Sequence, residues 1–118
     1  MRLLKISTDF SIVPGARYYS DGPLSGEEFY DNNLRKAFQE ALENNEKLTV
    51  DLDGTAGYAS SFLSESFGLL SEHFGKDIVL KNIEIISVLE PDWKIAILEN
   101  YIPNAPKRKK KPVANAEN

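Results

Sequence analysis

Residues 48–70 read "LTVDLDGTAGYASSFLSESFGLL", and the change of hydrophobic period within this stretch sets the architecture. Leu48, Val50 and Leu52 alternate with Thr49 and Asp51, the two-residue period of a strand with one face buried, and Asp53-Gly54 marks its exit. A few residues later Phe62, Leu63, Leu69, Leu70 and Phe74 supply the apolar side of a helix that Gly75 is suited to stop. Between strand and helix stand Ser60 and Ser61. As plain structure, one of the two serines is the N-cap, contributing roughly 1 kcal/mol by accepting from an amide otherwise unpaired at the helix start. A phosphoryl group there would add about two negative charges where free amides and the helix dipole favour an anion. Such a charge would expel a docked partner without refolding the chain.

Upstream, Ser25-Gly26-Glu27-Glu28 has the spacing of a capping box. Tyr30, Leu34, Ala37, Phe38, Ala41 and Leu42 then form one helical stripe, which predicts a helix over 26–44. "RLLKI" at residues 2–6 predicts a short strand. In the segment that follows, Phe10, Ile12 and Val13 with the turn signals Pro14-Gly15 and Asp21-Gly22-Pro23 suggest a hairpin. Downstream, "DIVLKNIEIISVL" offers Ile83, Ile85 and Val88 as core residues of a strand, with residues 78–80 either its start or a separate short piece. "PDWKIAILENYI" predicts a third helix, entered at Pro91 and Asp92, with Trp93, Ile97 and Tyr101 four residues apart and Pro103 as its stop. The expected fold is α/β, a small mixed sheet with about three helices, in one domain over 1–103 followed by a basic, disordered tail over 104–118.

Composition narrows the chemistry. The 118-residue chain has no cysteine, which excludes disulfides and thiolate catalysis. No run of about 18 apolar residues suits a membrane span, and the N-terminus lacks a secretory apolar core, so a soluble cytoplasmic protein without membrane association is expected. The net charge of −4 divides unevenly: five basic residues at 107–111, less Glu117, give residues 107–118 a charge of +4, and residues 1–106 carry −8. An acidic body repels phosphate backbones, so nucleic-acid binding would fall to the tail. The single histidine, His73, has no serine and acid spaced to complete a triad. Gly54 to Gly57, "GTAG", lacks the Lys-Ser/Thr ending of a phosphate loop. Asp51 and Asp53 at a strand end have the donor chemistry for magnesium, but as a strand residue and a turn former they need none. No cofactor, metal or catalytic residue is expected.

Residues 48–70 resemble the signature of the STAS domain, the fold of bacterial anti-sigma-factor antagonists, where a hydrophobic strand leads through Asp-Ser-Ser or Asp-Ser-Thr into a helix. "PGARYYSDGPLSGEEFY" with "VDLDGTAGYASSFLSESFG" is similar, more closely, to small prokaryotic STAS-like proteins, and the resemblance covers about residues 1–100. It implies a non-enzymatic regulatory module whose partner is a histidine-kinase-like ATPase or anti-sigma factor. The family's phosphorylated hydroxyl falls on Ser60, with Ser61 beside it, and Ala59 stands where the motif has aspartate. Tyr58 and Phe62 are then candidates for the neighbouring contact surface, joined by the loop from Arg17 to Ser25. The final strand and helix of many STAS domains are expected to be missing or displaced. The rival expectation is a nucleic-acid-associated accessory protein that uses its basic tail.

Overall fold

The computed structural model describes residues 2–105. Met1 and residues 106–118, which include the basic run expected as a tail, lie outside the described residues.

Three strands, β1 (Arg2–Lys5), β2 (Leu48–Asp51) and β3 (Ile83–Ile86), form a sheet in the order β1-β2-β3. All pairings are parallel, with Leu4 opposite Val50 and Val50 opposite Ile85. The mixed sheet expected from sequence is therefore corrected to a parallel one. The reason is connectivity: each strand returns to the sheet through a helical crossover, which brings it back in the same direction.

Helix α1 (Ile6–Asp9) follows β1 directly. Helix α2 covers residues 26–43 as Gly26–Phe29, a π-helical turn Tyr30–Leu34, and Arg35–Glu43. Next come α3 (Ser60–Phe74) and α4 (Lys76–Asn82). Helix α5 covers residues 91–101, ending in a π-helical turn Ile97–Tyr101. Among the described residues five helices, besides a 3-10 turn at Tyr19–Asp21, thus replace the expected three. The additional ones are α1 and α4, and in α4 Val79 is buried while Ile78 and Leu80 on either side are exposed. Gly75 separates α3 from α4 at φ 93°, a left-handed conformation that favours glycine, and its amide donates to Ser71 O at 2.8 Å.

The hairpin expected before residue 26 does not form. Its backbone groups instead turn to the start of α2: Gly15 N donates to Leu24 O, Gly26 N to Ala16 O and Glu27 N to Arg17 O. These amides and carbonyls, spent on a closed loop, are not available to a ladder. Ser25 does cap α2, its Oγ accepting from Glu28 N at 3.1 Å, but Glu28 Oε1 reaches back to Leu24 N at 2.9 Å and not to the N-cap amide.

The sheet buries one face. Leu4, Leu48, Val50, Ile83 and Ile85 pack in a core with Phe29, Leu34, Phe38, Phe62, Leu63, Phe67 and Leu70 from α2 and α3. In a sheet of sequential order, crossovers of the usual right hand put both crossover helices on one side, and α2 and α3 share this core accordingly. Ile97 and Ile102 close the core from α5 and the residue after it. Val88 falls past the end of β3 and is 74% exposed, so it is a loop residue and not the core position expected.

Candidate functional site

Three loops gather at the C-terminal ends of the parallel strands: residues 10–18 after α1, 52–59 after β2, and 87–90 after β3. Hydrogen bonds tie them together. Lys5 Nζ contacts Asp51 Oδ2 at 3.2 Å and the Asp53 carbonyl at 3.3 Å. Asp51 Oδ1 accepts from Asp53 N at 2.9 Å. The Asp53 carboxylate accepts from Val88 N and Leu89 N, both at 3.0 Å, and Ala56 N donates to Ile12 O at 2.8 Å. Asp51 and Asp53 are thus occupied with holding loops. Among the described residues no group of three or more His, Cys, Asp or Glu side chains is placed to hold a metal.

At the tips of these tied loops stand apolar side chains facing solvent. Ile12 and Val13 are 60% and 59% exposed, and Val88 and Leu89 are each 74% exposed. Sequence reasoning placed Ile12, Val13 and Val88 in strands. The signals that mark them as loop tips are Pro14-Gly15 directly after the first pair, and Pro91 shortly after the second, each stopping a ladder.

Ser60 is the first residue of α3 and is exposed, while Ser61 is half-buried. Neither is the N-cap, a correction to the sequence reading. That position is Ala59, with extended φ −74° and ψ 137° and no side-chain cap. Its carbonyl accepts from Phe62 N and Leu63 N, so the helix begins one residue earlier than a serine cap requires.

Phe62 is also corrected. It is 0% exposed, its ring lying 5.5 Å from Phe29, 6.0 Å from Phe10 and 5.9 Å from Tyr58. Two residues along a helix turn the side chain by roughly 200°, so an exposed Ser60 puts Phe62 inside. Ser25 is likewise fully buried, committed to its cap. Arg17, half-buried, pairs with Glu65 Oε1 at 3.4 Å and lies over the Tyr18 ring. The carboxylate of Glu65, 2% exposed, thereby fastens the 10–25 loop to the second turn of α3. Of the residues singled out in the sequence, the structure places Tyr58, Ser60, Ser61 and Arg17 with surface to offer around the α3 start. Phe62 and Ser25 support them from beneath.

Tyr58 sits between the loops. Its hydroxyl donates to Leu52 O at 2.7 Å, and burial, with smaller contributions from the carboxylates of Asp51 and Asp53, pushes the phenol up to about 12. The Trp93 ring lies 6.3 Å away at 77°. Together with Asp53, Ala56, Ser87 and Glu90 they line a cleft of about 280 Å³. His73, far along α3, has Nδ1 within 2.8 Å of the Tyr30 hydroxyl and takes no part in this region.

No described helix is long and apolar enough to cross a membrane. A family model described as a STAS-like domain of unknown function (DUF4325) matches residues 25–93, from the cap of α2 to the first turn of α5. No curated protein and no solved structure matches the chain.

Proposed function

The chain belongs to the family of STAS-like domains of unknown function, and from that premise we propose that it is a non-enzymatic regulatory module, resembling an anti-sigma-factor antagonist, that docks a partner protein on the loop end of its sheet. The observation that carries this reading is the exposure of Ile12, Val13, Val88 and Leu89 on loops that hydrogen bonds join to the segment leading into Ser60. Apolar side chains grouped on one end of a small domain favour contact with another protein. A rigid backbone beneath them lowers the ordering cost of binding.

Ser60 is the switch in this reading. Its hydroxyl lies at the rim of the docking surface, where esterification by a partner kinase adds charge and hydration that an apolar interface excludes. Ala59 shapes the consequence: without an N-cap side chain, the first amides of α3 have no carboxylate or hydroxyl at the cap, and an added phosphate meets no cap anion. The partner expected is a histidine-kinase-like ATPase or an anti-sigma factor, and the setting expected is the cytoplasm.

The test is capture of the partner from the native cell, followed by titration of that partner against Ser60→Ala and Ser60→Asp. Ser60→Ala is expected to bind as the unaltered chain does, and Ser60→Asp at least about tenfold more weakly. Equal affinity for both variants would remove Ser60 from the mechanism. An intact-mass measurement on the recovered protein reads directly whether the serine carries a phosphoryl group.

A further inference from the structure

The cleft walled by Tyr58 and Trp93 has a chemistry that the docking reading does not use. Its volume, about 280 Å³, falls just below the range of drug-sized ligand sites, which run from about 300 Å³ upward, and so suits only a small group. It opens at the C-terminal ends of β2 and β3, where parallel sheets place their binding crevices. The two rings meet at 77° with centroids 6.3 Å apart, so they form two sides of a corner.

The charged residues that line this corner are both acidic. Asp53 and Glu90 belong to the lining, and no lysine, arginine or histidine does. Lys5 of β1, whose Nζ reaches the Asp53 carbonyl at 3.3 Å, is paired with the Asp51 carboxylate. The Tyr58 hydroxyl is spent on Leu52 O, so this residue offers its ring and not a free phenol. Burial is the main reason the Tyr58 phenol keeps its proton, and the carboxylates of Asp51 and Asp53 add to it in the same direction. An anion would meet two acidic residues and no basic residue in the lining. A bare metal ion would find no group of three ligating side chains among the described residues.

We propose that this cleft binds a small organic cation, an alkylammonium or guanidinium group seated against the rings of Trp93 and Tyr58 with Asp53 and Glu90 as counter-charges. Aromatic rings attract such cations through their quadrupole, and carboxylates nearby add to the attraction. The site needs neither a docked partner nor a modified serine, so its test and that of Ser60 fail independently.

The experiment is calorimetric titration of the full chain with choline, butylammonium and methylguanidinium, set against dimethylbutanol, the uncharged carbon isostere of choline, and acetate. Trp93 is the only tryptophan, so its emission reports occupancy at this place. At least one cation is expected to bind saturably, at least about tenfold more tightly than dimethylbutanol, and to shift that emission. Glu90 is exposed and its side chain makes no cap hydrogen bond, so Glu90→Gln should keep the fold, checked by circular dichroism, and weaken binding about fivefold to tenfold. A second arm compares methylguanidinium with a short peptide carrying one arginine. Tighter binding of the free ion assigns the site to a small molecule, and tighter binding of the peptide assigns it to a basic side chain. Equal affinity for choline and dimethylbutanol, an unmoved Trp93 emission, or unchanged affinity in Glu90→Gln would overturn the proposal.

Discussion

The carboxylate of Asp53 accepts the amide of Leu89 at 3.0 Å, with its second oxygen on the amide of Val88 at the same distance. One side chain at the exit of β2 thus holds the loop at the exit of β3, and the most exposed apolar pair of the described chain depends on it for position.

Asp53→Asn tests that dependence. An amide has one acceptor oxygen where the carboxylate has two, so one of the two loop amides loses its partner and the other bond loses its charge. Stability should fall by about 1–2 kcal/mol. Hydrogen exchange is the sharper measurement: the amides of Val88 and Leu89 should lose protection while those of Ile83 and Ile85 in the strand keep it. Equal protection in the variant would show that the loop holds itself.

Ala59→Asp should stabilise the protein. Ala59 already has the extended backbone of an N-cap, so the new carboxylate finds the start of α3 in the geometry it needs, and it faces the positive end of a fifteen-residue helix. A gain of about 1 kcal/mol is expected, read as a raised urea midpoint with an unchanged m-value. A lowered midpoint would mean that the first turn is held in a way the cap position does not govern.

Gly26→Ala should destabilise by about 1–3 kcal/mol, although alanine is the better helix former. A Cβ at residue 26 would lie 2.6 Å from the carbonyl oxygen of Phe62 and 3.2 Å from the Glu65 Cβ. The nearest obstacle is backbone, which cannot rotate away, so α2 and the first turn of α3 would have to part. Thermal unfolding of the variant reads this directly, and an unchanged midpoint would contradict the close approach of the two helices.

Alkaline pH should weaken the fold in a defined window. Tyr58 and Tyr30 are both pushed up to about 12, in each case chiefly by burial, from the ordinary value of 10. Between these values the folded chain keeps phenol protons that the unfolded chain releases, so stability falls as pH rises from 10 towards 12 and is insensitive to these groups below that window. The part due to Tyr58 is at most about 2 kcal/mol, since its ring is only half-buried. Tyr58→Phe should flatten the loss measured by urea titration across that window, and an unchanged slope would place the sensitivity elsewhere.

The elements with a strong period could be read from sequence. Leu48, Val50 and Leu52 announced a strand, the stripe from Tyr30 to Leu42 a helix, and Trp93 to Tyr101 another, because burial on one face imposes the spacing. Residues 10–25 could not, since Ile12 and Val13 have strand composition and what decides their state is which distant amides the loop's carbonyls meet. The site was legible in part for the same reason. Ser60 follows from the strand-to-helix junction, whereas Phe62 was misplaced by sequence proximity where helical rotation puts it in the core. The Tyr58–Trp93 corner arises from residues 35 positions apart in the chain, and the exposed loop tips from residues farther apart still, beyond the reach of a local pattern.

The last prediction separates docking from folding. Ile12 and Val88 are 60% and 74% exposed, so replacing both by serine removes little buried surface and should change stability by less than about 0.5 kcal/mol at each position. Phe62→Ala, at a fully buried ring in contact with three others, should cost about 3–5 kcal/mol. If the loop end is the docking surface, the serine double variant loses at least about tenfold in affinity for the captured partner while its urea midpoint stays near that of the unaltered chain. Unchanged affinity in a folded double variant would move the interface away from Ile12 and Val88, and leave Val13 and Leu89 as the only two of the four exposed loop-tip side chains able to carry it.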